Sequence, residues 1–154
     1  MPCELFALFS AAQLDELVCG PRLICVVELR HLASYEGVGA SEPHVLLLWD
    51  ALATFDAREL AQFVEFCSGS ARAPRKDAPR STRSLKLTPP PPGADANPDQ
   101  YLPLSQTCFF SLALPRYTTL QACCTKLRYA IKNAHLMDAD FLLRHADGWA
   151  DLQV

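Results

Sequence analysis

The chain has 154 residues, 50% of them hydrophobic and 20% charged, with a formal net charge of −3 at pH 7. That length suits one domain, or one domain with a fragment of another, and the apolar share is enough to bury a core. The small negative charge argues against nucleic acid or an anionic membrane as partner, and apolar runs of at most five residues, such as LFALF and LICVV, fall far below the roughly 20 needed to span a bilayer.

The opening MPCELFALFS lacks the basic start of a secretory signal peptide and carries Glu4, so the expected protein is soluble and cytoplasmic or nuclear. FSAAQLDELVCG is the first predicted helix. Ser10 caps it, Gln13 completes a capping box, Phe9 and Leu14 form the staple, and Gly20 ends it. VVELRHLASY reads as a second helix with Val27, Leu29 and Leu32 on a partial apolar face. Gly37 and Gly39 in EGVGA then permit unusual backbone angles and mark a hinge or loop.

SEPHVLLLWDALATF is predicted to be a helix capped by Ser41, with Pro43 in its first turn. Val45, Leu48, Trp49 and Leu52 recur at helical spacing. FDARELAQFVEFCSG repeats the syntax. Asp56 caps, Glu59 closes the box, Phe55 and Leu60 staple, and Gly69 terminates. Its inner face is Leu60, Phe63, Val64 and Cys67.

Residues 71–100 change in texture: they hold seven of the twelve prolines and no aromatic residue. A PPPP run favours extended geometry without backbone donors. Only SLKL, at 84–87, reads as a short strand. The basic cluster Arg72, Arg75, Lys76, Arg80, Arg83 and Lys86 reads as a solvated loop rather than a nucleic-acid site. Beyond it, CFFSLALP alternates Phe110, Leu112 and Leu114 with Phe109, Ser111 and Ala113, a half-buried strand closed by Pro115. Thr118 and Gln121 open a last helix with Leu120, Cys123, Cys124, Leu127 and Ile131 inward. The tail from residue 136 is mixed and expected to fray.

Seven cysteines, an odd number with no C-x-x-C pair, and histidines at the wrong spacing argue against a closed zinc site. Neither a metal nor a cofactor is expected, and the thiols should be free. Cys108 is the ambiguous one. Strand parity places it on the face of Phe110 and Leu112, which favours burial. The polar SQT before it favours an exposed loop. No histidine is paired with it by the sequence, as a Cys–His protease would require.

Four segments in order resemble the C-terminal part of a HECT ubiquitin ligase: LFSAAQLDELVCG, LRHLASYEG, VLLLWDALATFDARELAQFVEFCSGSARAP and LPLSQTCFFSLALPRYTTLQACCTKLRYAI. The last is similar to the family's active-site block: leucine-proline, a short gap, threonine-cysteine-phenylalanine, then leucine, leucine-proline and tyrosine. The four segments in order, rather than any one of them, carry the resemblance. The resemblance implies an α+β fold in which a small sheet is packed with helices. Residues 1–38 would be the end of an incomplete N-lobe with the hinge, 39–135 the C-lobe, and 136–154 a tail. Residues 1–38 should therefore pack loosely or expose apolar surface.

By that resemblance Cys108 carries ubiquitin as a thioester, received from a ubiquitin-conjugating enzyme and passed to a substrate lysine. Gln106 and Thr107 would support it, and the other six cysteines would be structural. Gln106 stands where many members have histidine; it orients by hydrogen bonding and cannot act as a base. Phe141, Asp138 or Asp140 in the tail would be placed to assist lysine attack. The proline-rich stretch departs from the family pattern. The implied partners are ubiquitin, a conjugating enzyme and an unidentified protein substrate. The alternative is a non-catalytic module that binds ubiquitin or a full-length ligase.

Overall fold

The computed structural model describes residues 8–19, 24–72, 84–90 and 92–133. Gly20, Arg75, Lys76, Arg80, Arg83, Asp138, Asp140 and Phe141 lie outside the described residues. Among those described, five α-helices and a four-stranded mixed sheet build an α+β fold, as expected.

Helix α1 (Ala11–Cys19) begins at the anticipated box: the Gln13 N–H donates to Ser10 Oγ at 3.3 Å, and the Ser10 N–H donates to Gln13 Oε1 at 2.8 Å. Helix α2 (Val26–Leu32) is shorter than its sequence pattern suggests. Ala33 turns extended, and Ser34–Tyr35 form strand β1. The Ser34 N–H donates to Leu85 O at 2.9 Å and the Glu36 N–H to Leu87 O at 2.8 Å. Those ladder bonds outweigh a weak helical preference. Leu29 is buried as expected, but Val27 faces solvent. Just after β1, Gly37 has φ +76°, and a Cβ there would meet Pro89 Cγ at 3.0 Å, so both backbone and space favour glycine.

Helix α3 (Pro43–Ala53) buries Val45, Leu48, Trp49 and Leu52. Its cap is Glu42 rather than Ser41. The Glu42 carboxylate reaches back to the Gly39 N–H at 2.5 Å, bracing the preceding turn. Pro43 at the first position has no N–H to satisfy, which reduces the need for a hydroxyl cap. Helix α4 (Ala57–Ser68) has both halves of the capping box: the Glu59 N–H donates to Asp56 Oδ1 at 2.8 Å and the Asp56 N–H to Glu59 Oε2 at 3.2 Å. Gly69 ends the helix in the left-handed conformation. Leu60, Phe63, Val64 and Cys67 are buried, together with Phe66.

Strands β2 (Lys86–Thr88), β3 (Leu104–Gln106) and β4 (Ser111–Ala113) complete the sheet in the order β1-β2-β4-β3. β2 runs parallel to both β1 and β4, while β3 and β4 are antiparallel. The strand expected in SLKL thus lies inside the sheet, with Leu85 and Leu87 fully buried. The strand expected to start at Cys108 begins at Ser111. Helix α5 (Leu120–Asn133) starts later than its sequence signals suggest. Thr119 Oγ1 accepts the Ala122 N–H at 3.1 Å and is the cap. Thr118 is instead held by the Asp99 carboxylate, through its N–H at 2.9 Å and its hydroxyl at 2.5 Å. Cys123, Leu127 and Ile131 face inward; Cys124 is half-buried and Leu120 is exposed.

One apolar core unites α3, α4 and α5 with Leu87 and Leu112 of the sheet and with Leu85 and Leu114 beside those strands, and it includes Leu29, Ala33 and Val38. Across it, Arg128 clamps α5 to α4, donating from Nε to Glu59 Oε1 at 2.7 Å and from Nη2 to Oε2 at 3.2 Å. That guanidinium holds the Glu59 carboxyl below its ordinary range. No described side chain of α1 belongs to the core. Leu8, Phe9, Leu17 and Val18 are exposed, and the Asp15 carboxylate ties α1 to Arg72 at 2.9 and 3.0 Å. Helix α1 should therefore open locally well below the global stability. Its amides are expected to exchange at least about 100-fold faster than those of α3 and α4. Equal protection in hydrogen-exchange mass spectrometry would contradict the assignment.

Candidate active site

Gln106 pairs with Ser111 at the end of the β3–β4 hairpin, which leaves four residues, 107–110, to reverse the chain. Four-residue hairpin loops are commonly built around a tight turn. Here Thr107–Phe109 form a single 3₁₀ turn, closed by the Phe110 N–H donating to Thr107 O at 3.3 Å. Phe110 then adopts the left-handed conformation, φ 48° and ψ 53°. It is the one non-glycine with positive φ among the described residues.

A left-handed residue with a Cβ costs about 1–2 kcal/mol. Burying a phenylalanine ring contributes roughly 1.5–3 kcal/mol. Phe110 is 4% exposed and belongs to the core, so its burial offsets the backbone cost. Its carbonyl also accepts the Lys86 N–H at 2.9 Å, which joins the loop end to β2.

Cys108 and Phe109 are the two central residues of this turn. Cys108 is exposed, and Phe109 is 62% exposed although it is a large apolar residue. Strand parity therefore fails for Cys108, because the residue precedes the strand. Thr107 and Gln106 are exposed on the approach to it. Gln106 occupies the cap position of the turn without a side-chain capping bond, leaving its amide available.

The loop is braced from two sides. Helix α4 packs against the 107–109 turn, and just past its end a Cβ added to Gly69 would sit 3.7 Å from Thr107 Cβ. Behind the hairpin, the buried Tyr117 donates its hydroxyl to Tyr101 O at 2.9 Å, so the chain entering β3 is tied to the chain leaving β4.

The described thiols divide by environment. Burial pushes the Cys67 thiol far up, and pushes Cys123 up to about 12, so both are poor nucleophiles near neutrality. Cys124 is half-buried, its sulfur 3.8 Å from Thr54 Oγ1. Cys25 is exposed at the start of α2. Cys108 differs in combining exposure with a turn fixed at both ends. Such a thiol can attack an acyl carbon and leave again, the basis of covalent group transfer. The anchoring role of Phe110 and the support from α4 were missed by sequence reasoning. A phenylalanine gives no turn signal, and the packing of α4 on the turn is tertiary.

Comparison with known proteins gives one consistent result. The HECT-domain family (ubiquitin-transferase) matches residues 1–140. The E3 ubiquitin-protein ligase HERC2 of Homo sapiens is 34% identical over 152 residues, covering 95% of this chain but 3% of its own length. The probable E3 ubiquitin-protein ligase HECTD4 of Homo sapiens is 29% identical over 140 residues, 85% of this chain and 4% of its own. The E3 ubiquitin-protein ligase RSP5 of Chaetomium thermophilum is 27% identical over 135 residues, 86% of this chain and 16% of its own. The chain thus spans a small part of each of these relatives.

Proposed function

The chain belongs to the HECT-domain family of ubiquitin transferases, and on that premise we propose that Cys108 is the residue to which ubiquitin is transferred. The Cys108 thiolate attacks the carbonyl carbon of the thioester between ubiquitin and a conjugating enzyme. A new sulfur–carbon bond forms, the old one breaks, and the conjugating enzyme's cysteine leaves as a thiolate. A substrate lysine amine then attacks the Cys108 thioester. An amide forms, the amine loses a proton, and Cys108 returns as a thiolate. One thioester replaces another in the first step, so positioning supplies much of the rate. A thiol used this way must stay reduced, which fits a cytoplasmic setting.

The observation that carries this reading is the exposure of Cys108 at the centre of a braced hairpin turn. Gln106, with its amide free, would orient the incoming carbonyl, and Thr107 shapes the turn through its carbonyl. A direct test supplies ubiquitin as a thioester of a small thiol, mercaptoethanesulfonate, so that no recruitment surface is needed. A ubiquitin adduct that dithiothreitol removes, mapped to Cys108 by mass spectrometry, is the expected product. Ubiquitin retained by the chain without an adduct would instead favour a non-catalytic binding module.

A further inference from the structure

Resting on the reading of Cys108 as the acceptor, we propose that Phe110 is its positioning residue: its core-anchored ring holds a left-handed backbone that fixes how the Cys108 thiol leaves the hairpin. Phe110 does not take part in the chemistry. It controls where the reacting sulfur points.

Three independent features converge on this residue. Its φ of 48° places it alone among the described non-glycine residues in the left-handed region. Glycine or asparagine is the usual occupant of such a position, because a longer side chain disfavours it. Its ring is seated in the core. Both of its backbone groups are engaged, the N–H with Thr107 O at 3.3 Å and the carbonyl with the Lys86 N–H at 2.9 Å.

The three residues before it, Thr107, Cys108 and Phe109, are all exposed. The turn's own closing bond, at 3.3 Å, is at the long end of the useful range. Little within the turn itself therefore fixes its shape, and among its own four residues the buried Phe110 ring is the one side chain that anchors it to the core. Without that ring the turn is free to sample other arrangements. A thiol displaced by about 1 Å from a required geometry can lose roughly 100-fold in rate, while its reaction with a small reagent needs no such geometry.

The experiment compares the full chain with Phe110→Gly, which accepts the left-handed backbone but has no ring, and Phe110→Leu, which restores an apolar anchor. Three readouts are taken: amide exchange across 104–112, alkylation of each cysteine by iodoacetamide, and the single-turnover rate of adduct formation from the small-thiol ubiquitin thioester. For Phe110→Gly, exchange at 107–110 should rise about 10-fold or more. Cys67 and Cys123 should stay protected, and Cys108 should alkylate within about 3-fold of the unmodified chain. Adduct formation should fall about 10- to 100-fold, and Phe110→Leu should recover most of it. Unchanged loop exchange and unchanged transfer in Phe110→Gly would overturn the proposal. So would alkylation of Cys67 and Cys123 alongside the loss, because Phe110 would then be an ordinary core residue. If the unmodified chain forms no adduct on Cys108, the functional reading fails and the positioning role fails with it, while loop exchange in Phe110→Gly still decides whether the ring fixes the turn.

Discussion

Cys108→Ala should reduce the thiol-sensitive ubiquitin adduct to background, a loss of at least about 1,000-fold, because no other described thiol combines exposure with a fixed turn. Cys67 and Cys123 cannot substitute. A thiol raised to about 12, as Cys123 is, ionises to only about one part in 10⁴ at pH 8. Cys108→Ser should give an ester that dithiothreitol does not cleave, or no adduct, since a hydroxyl is a far weaker nucleophile near neutrality. Gln106→Ala should slow transfer by less than about 10-fold, in keeping with an orienting amide that moves no proton. Gel mobility with and without reductant, followed by peptide mapping, reads all three. A reductant-sensitive adduct that persists in Cys108→Ala would place ubiquitin on another cysteine and defeat the assignment.

The helical part of the fold was legible because its determinants are local. The apolar spacing of Val45, Leu48, Trp49 and Leu52 and the Asp56–Glu59 box each lie within a turn or two of chain, and both appear as expected. The strands are two or three residues long, and β1 exists through pairing with β2 some fifty residues away. Ser34–Tyr35 therefore looked like the end of a helix, and β3 carried no pattern at all. Thr118 and Thr119 are equally good caps locally, and Asp99, distant in sequence, captures the first and leaves the second to the helix.

The site was legible in identity but not in shape. Threonine-cysteine-phenylalanine in its surroundings located Cys108, whereas the alternation of Phe110, Leu112 and Leu114 suggested that the cysteine began a strand. The alternation misleads because Phe110 is buried as a turn residue. Its side chain joins the core from a left-handed backbone and mimics strand parity. Ser111, which should face solvent in a half-buried strand, is buried as well, in a strand that has β2 on one side and β3 on the other, while Ala113 on the same face is half-buried.

Phe63→Ala should be the most damaging single truncation in the core, at about 3–5 kcal/mol. Phe63 is fully buried and is among the largest such side chains. It lies on α4, the helix that packs against α5, the sheet and the turn of Cys108. The lost ring leaves a cavity that its neighbours, themselves on capped helices and paired strands, cannot close by small shifts. With α1 outside the core, that loss falls on a small folded unit whose stability is of the order of 5–15 kcal/mol in total. The urea midpoint, followed by circular dichroism, should fall by about 2 M, given a dependence of about 2 kcal/mol per molar. The damage should also reach the turn. Helix α4 packs against the 107–109 turn, so a loosened α4 withdraws one of the two braces on the Cys108 loop. Adduct formation should then decline at urea concentrations where the unmodified chain is still active. A midpoint shift below about 0.5 M would mean that the core around Phe63 relaxes freely, and that α4 is not the rigid support of the site.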